Sequence, residues 1–274
     1  MTGSDVTGVT YRVQAGIGVT TASLAAGAAR AALRAANANP ADVEMVLVGT
    51  TTPDVMWPST ACLVQTELGL PMVGSFDLYA AETSVLTALD VAVRYVAAGT
   101  RSVLVIGAES DNQLVDLPAQ GGIVHGRAAG AAVLTPASGD GGVLATTVGG
   151  AARPQIDADG RDRILMQGLS DSVLECLRKA GLNLEDVDLV IAEQSAPEIM
   201  QAWSKRHGVA AKRLRLDPSR YGSLLAAAPL VALHDAVVEQ QLREGMTALL
   251  ISCGTGPVWA TACVRWSGGG VAQW

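Results

Sequence analysis

Residues 26–49 read AGAARAALRAANANPADVEMVLVG, and residues 173–192 read VLECLRKAGLNLEDVDLVIA. Both stretches run from a helical segment through a polar turn to an Asp-Val step, an acid and a short aliphatic strand. Val43 and Val187 hold equivalent places, 144 residues apart, and both strands lead on to a proline and an acid, Pro53-Asp54 and Pro197-Glu198, at the same offset. The next segments repeat too. A strand ending at Asp77 leads into the helix SVLTALDVAVRYVAAG, then the strand Val103–Ile106 and Gly107. A strand ending at Asp217 leads into LLAAAPLVALHDAVVEQQLREG, then Ala248–Ile251 and Gly254. A repeat of this length in strand–helix units indicates a duplicated half.

The strands are continuous aliphatic runs, as expected where both sheet faces are buried. Helices must therefore cover two sheets on both sides. The helices after Asp77 and Asp217 are the most apolar, so they belong together between the sheets. The expected fold is α/β, duplicated and layered α-β-α-β-α, with halves at 1–150 and 151–274 forming one compact unit. The glycine-rich segments 119–130 and 139–160 read as loops or hairpins. The tail after Trp266, SGGGVAQW, reads as flexible.

Such a duplication brings the N-terminal ends of the two central helices together near a pseudo-twofold axis. Glu82 lies at one end, Gly222-Ser223 at the other, and the strand end at Glu193 points to the same place. Helix N-termini offer free N–H groups and the positive end of the dipole, which stabilise anions and oxyanions.

Composition narrows the function classes. The chain has 274 residues, 49% hydrophobic and 16% charged, with a single Phe, Phe76; small aliphatic residues suit close helix-on-sheet packing. A net charge of −7 argues against nucleic acid or an anionic membrane as a partner. No apolar run reaches the roughly 18 residues that span a bilayer, and the start lacks a secretory pattern. A cytoplasmic location is expected. The four cysteines, Cys62, Cys176, Cys253 and Cys263, show neither disulfide nor metal spacing, and Cys62 and Cys253 read as core residues. The basic stretch Lys205, Arg206, Lys212, Arg213 and Arg215 reads as a solvated helix end or as a docking patch for an acidic partner. His207 and His234 read as surface residues on helices.

The chain resembles the β-ketoacyl-acyl-carrier-protein synthase III group of the thiolase superfamily from about Gly27 to Trp266. The resemblance rests on ordered motifs: TTTPDVMWPSTACLVQTELGL (50–70), SFDLYAAETSVLTALDVA (75–92), RSVLVIGAES (101–110), GRAAGAAVL (126–134), SRYGSLLAAA (219–228) and CGTGPVWATACVRW (253–266). By resemblance, Glu82 stands at the nucleophilic cysteine, Glu193 at the histidine and Ser223 at the asparagine of the family's catalytic set. The same comparison implies an oxyanion hole from the backbone N–H groups of Glu82 and Thr255. It puts His125 near the acyl tunnel and carrier docking at Lys205, Arg206 and Arg213. Glu198 replaces a docking arginine. The family's N-terminal strand and coenzyme A segment have almost no counterpart before Gly27, so the fold is expected to be truncated there.

A carboxylate does not form and turn over a thioester as a thiolate does. Glu82 is then a general acid or base in an apolar tunnel, or a relic capping a helix. If Glu193 lies within reach, the two carboxylates share a proton. Thr83 and Ser84 are turned away by the helix. The leading expectation is an enzyme acting on an acyl or polyketide thioester, free or carrier-bound, by acid–base chemistry. The alternative is a catalytically silent subunit paired with an active ketosynthase. A homodimer or heterodimer is expected, with no cofactor and no metal.

Overall fold

The computed structural model describes residues 4–13, 18–110, 126–137, 139–152, 158–216 and 218–271. The first run of elements is β1 (Ser4–Val13), α1 (Thr21–Ala35), β2 (Met45–Gly49), α2 (Thr60–Leu68), β3 (Gly74–Leu78), α3 (Ser84–Ala97), β4 (Val103–Glu109) and β5 (Ala128–Pro136). The second is β6 (Gly142–Gly150), α4 (Ala158–Ala180), β7 (Leu189–Ala192), α5 (Pro197–Arg206), β8 (Leu214–Arg215), α6 (Pro218–Tyr221), α7 (Ala228–Val238), β9 (Thr247–Gly254) and β10 (Val258–Arg265), followed by β11 (Gly270–Val271).

Hydrogen-bonded strands run in the order β3-β2-β4-β5-β1-β6-β10-β9-β7-β8, so the second five mirror the first. One register pair, Ser4 with Val143, joins the two sets. Three apolar clusters define the layers. α1 and α2 cover one face of the first set. α4 and α5 cover one face of the second. Between them α3 and α7 share a single cluster with strands of both sets, from Leu47 and Val105 to Ile191 and Leu250. This is the α-β-α-β-α order of the thiolase-like fold.

Local chemistry fixes the helix starts. Asp54 accepts from the N–H groups of Thr21 (2.7 Å) and Ala22 (2.8 Å) at the start of α1. Asp77 does the same for Thr60 and Ala61, both at 2.7 Å, at the start of α2. A carboxylate there satisfies two orphan donors and faces the positive dipole end.

Four expectations are corrected. The N-terminal strand is present as β1, which pairs antiparallel with β5 along its length and sits mid-path. Its sequence, SDVTGVTYRV, mixes polar with apolar residues, so an apolar-run criterion passes over it. The tail is not wholly irregular, because β11 adds to β1 in parallel. The glycine-rich segments hold the start of β5 and all of β6, where glycine serves close approach: a Cβ on Gly130 would meet the backbone and side chain of α7 at 2.7–3.1 Å. α7 is shorter than read; residues 225–227 form a separate 3-10 turn and the α-helix ends at Val238. Asp217 lies outside the described residues. Among the described residues no helix is long and apolar enough to cross a membrane.

Candidate active site

Glu82 sits in the turn between β3 and α3. Ala81 takes a positive φ of 49°, a costly conformation for a residue with a Cβ. The equivalent residue of the other half, Leu225, takes φ 44° just before α7. Three hydroxyl contacts hold the turn. Thr83 Oγ1 donates to the carbonyl of Ala80 (2.7 Å), and Ser84 Oγ donates to the carbonyl of Ala81 (2.6 Å) and accepts from Ala80 N–H (2.8 Å). Both residues are buried, so neither hydroxyl is presented to a ligand.

The Glu82 side chain lies across the β9–β10 turn. Its Oε2 accepts from Thr255 N–H at 2.8 Å and its Oε1 from Thr255 Oγ1 at 3.1 Å. Ser252 Oγ donates to the Glu82 carbonyl at 2.8 Å. Gly254 makes this possible, because a Cβ there would collide with the Glu82 carboxylate. The expected oxyanion hole is corrected at one donor. Thr255 N–H is occupied by Glu82 itself, since a carboxylate within reach is a strong acceptor for an amide.

Glu193 is fully buried at the end of β7. Its Oε1 accepts from Ser195 N–H (2.8 Å) and its Oε2 from Ser195 Oγ (2.5 Å). Burial pushes its carboxyl up to about 8, against the Ser195 and Gln194 hydrogen bonds and aided by the charge of Glu82. Each carboxylate is bonded to a different residue, so the shared proton does not arise here: no hydrogen bond joins Glu82 and Glu193. Burial pushes the Cys253 thiol up, with the charges of Glu193, Glu82 and Asp162 adding to it. Burial also raises Cys176 to about 12 and Cys263 to about 11, so none of these three is a ready thiolate.

Glu82 reaches a cavity of about 270 Å³. Its wall includes Asp162 and Leu165 of α4, and Ser195, Glu198 and Ile199 around the start of α5. Ser223 is not in that wall. It is buried, and its hydroxyl has no hydrogen-bond partner among the described residues. His125 lies outside the described residues.

A family model for 3-oxoacyl-[acyl-carrier-protein] synthase III matches residues 76–151, and the model for the C-terminal part of that family matches 177–266. A β-ketoacyl-[acyl-carrier-protein] synthase III of Roseiflexus castenholzii is 34% identical over 292 residues, covering 96% of this chain and 88% of the relative. The chain belongs to the synthase III family of the thiolase superfamily. The synthase III structure from Aquifex aeolicus superposes with a TM-score of 0.87 at 25% identity, covering 96% of this chain and 100% of that one. The priming β-ketosynthase of the R1128 polyketide pathway gives the same TM-score at 22% identity, a likeness of fold alone, covering 98% of this chain and 97% of that one.

The basic stretch divides. Lys205, Arg206 and Lys212 are exposed. Arg213 is corrected to a structural role: its guanidinium donates to the carbonyls of Leu184 (2.5 Å) and Val187, tying the turn before β7 to the turn before β8. Arg215, only 10% exposed at its side chain, pairs with Glu239 (2.7 Å) and Asp235 (3.3 Å). His234 is buried rather than on the surface, because α7 is covered on all sides. His207 is half-buried against Trp203, and its Nε2 meets Ser170 Oγ at 2.9 Å.

Sequence reasoning passed over Glu109, at the end of β4. This buried carboxylate accepts from Thr51 N–H (2.9 Å), Thr51 Oγ1 (2.8 Å), Thr52 Oγ1 (2.8 Å) and Ala226 N–H (3.3 Å). It thus ties the ends of β2 and β4 to the turn before α7. Burial pushes it up to about 7 against those four bonds. The available signal was an acid closing an otherwise apolar strand, opposite three consecutive threonines, Thr50–Thr52.

Proposed function

We propose that this synthase III relative acts on an acyl or polyketide thioester by acid–base chemistry rather than through a cysteine. The observation that carries the reading is the Glu82 carboxylate on the cavity wall, in whose field the buried Glu193 carboxyl is pushed up to about 8, chiefly by burial. Glu82 on the wall is the proton acceptor; Glu193, fully buried and bonded to Ser195, keeps its proton at neutral pH and so adds no second negative charge near Glu82. Two carboxyl groups in unlike surroundings hold different protonation states at one pH in this way. Cyclisation, dehydration, isomerisation and acyl transfer to a bound nucleophile all fit a positioned base at Glu82. Relatives named for acyl-carrier-protein substrates support a carrier-bound thioester, with Lys205 and Arg206 at the end of α5 as the docking charges. The edge strand β3 supports dimerisation, with itself or with a ketosynthase homologue. Turnover of acyl thioesters by the wild-type chain and Glu82→Gln, followed by thiol release, tests the reading: activity must depend on Glu82, and no acyl adduct should form on residues 82–84.

One observation favours the second reading, a silent partner subunit. The Thr255 N–H that would polarise a thioester carbonyl is already bonded to Glu82. In that reading the site is closed, Glu82→Gln changes nothing, and activity follows a partner's cysteine.

A further inference from the structure

We infer that the cavity takes a protonated primary amine, carried on a short apolar stem. The inference rests on the acid–base reading of Glu82 and names the ligand class for the same site. The ionisable groups on the cavity wall are Glu82, Asp162, Glu198 and Arg161. The one cation is already matched: Arg161 Nε and Nη2 lie 3.3 and 3.2 Å from Asp162 Oδ1. Among the described residues Glu198 has no ion pair, and the Glu82 carboxylate meets only the neutral donors of Thr255. With Arg161 and Asp162 offsetting each other, a carboxylate or phosphate entering this space meets the two remaining carboxylates, Glu82 and Glu198. An ammonium meets the reverse, an attraction that salt screens because Glu198 and the Asp162 side chain are open to solvent. Leu165 and Ile199 give the opposite wall an apolar surface for a hydrocarbon stem. The volume, about 270 Å³, lies just below the roughly 300 Å³ at which ordinary ligand pockets begin, so the ligand is small.

α5 separates this acidic wall from the docking charges. Glu198 is in its first turn and Lys205 seven residues on, two turns along the same face and about 10 Å away. An anionic carrier is thus met outside the cavity and a cation within it.

Under the acid–base reading the amine is the nucleophile. Glu82 takes one proton from the ammonium nitrogen and passes it to solvent. The freed lone pair attacks the thioester carbon and a C–N bond forms. The C–S bond then breaks, and the second proton lost from nitrogen goes to the departing sulfur, giving an amide and a free thiol. No oxidant or reductant is required.

The test is an NMR titration of the full chain near neutral pH with n-butylamine, n-butanol and butyrate. Butylammonium should bind best and butyrate worst, with shifts at Thr255 and Ile199 and affinity falling as salt rises. The double variant Asp162→Asn/Glu198→Gln, at exposed positions that leave the core intact, should weaken butylammonium roughly tenfold and leave butanol unchanged. Butyrate binding as well as the amine, or an amine affinity indifferent to the double variant, overturns the inference. The two readings fail separately. Glu82-dependent thioester turnover without amine preference removes the amine and keeps the acid–base site. Selective amine binding without Glu82-dependent turnover of an acyl thioester keeps the amine and removes the acid–base site.

Discussion

Glu82 is held at both carboxylate oxygens by one residue, Thr255, whose N–H donates to one and whose hydroxyl donates to the other. Glu82→Gln preserves that fit, because the amide oxygen still accepts from the N–H and the amide nitrogen can donate to the hydroxyl. The variant should therefore fold and bind the acyl thioester as the parent does, while turnover falls by roughly 100- to 10,000-fold, the contribution of a placed acid or base. A folded Glu82→Gln protein with full activity would move the balance to the silent subunit. Glu193 makes a second residue-scale prediction, through stability. Its folded-state pKa, about 8, lies above the ordinary 4.5, so the folded chain holds its proton longer than the unfolded chain. Stability must then fall as pH rises between those two values, with Glu109 contributing in the same direction up to about 7. Thermal melts should show the parent losing stability across that window. Glu193→Gln should lose less and gain several degrees over the parent at its alkaline end; a variant that melts lower there would mean the Ser195 contacts outweigh the buried charge.

At the scale of elements, α5 and the turn before β8 separate charges that the sequence presents as one run. Lys205 and Arg206 are exposed, so charge reversal at both should weaken carrier binding and flatten its salt dependence without lowering the melting temperature. Arg213→Ala should do the opposite: it leaves the carbonyls of Leu184 and Val187 without their donor and should lower the melting temperature, with carrier affinity measured by fluorescence anisotropy unchanged. The contrast shows what the sequence could reveal. The repeat, the aliphatic runs and the apolar central helices carry the layered fold because burial on both faces leaves a mark in every residue of a strand. β1 was missed because its residues are polar and apolar in turn, and its place is set by pairing with β5. The site was legible as a location, since Glu82 and Glu193 are acids at the ends of apolar elements. Which donor each carboxylate takes was not, because Thr255 is 173 residues from Glu82 in sequence and meets it only through the β9–β10 turn.

Across the whole molecule, β3 ends the sheet path with its outer edge unpaired among the described residues, and the residues flanking it are apolar and open: Met72 is 93% exposed and Tyr79 73%. An open edge of this kind invites a second strand. Sedimentation at micromolar concentration should show a dimer, and Met72→Asp with Tyr79→Asp should shift it towards monomer; a parent that is monomeric without any partner would exclude the self-paired form. At the other end of the scale stands the seam between the two halves, which among the described residues is the register pair Ser4 with Val143 and the two pairs of β1 with β11. So little backbone joins them that they are held together by the apolar cluster that α3 and α7 share. A chain cut between β5 and β6 would therefore yield two pieces, each with the apolar face of one central helix turned to water. Neither piece has a reason to stay folded alone, yet mixing them restores the shared cluster that both helices need. Half of this protein, in other words, is stable only in company.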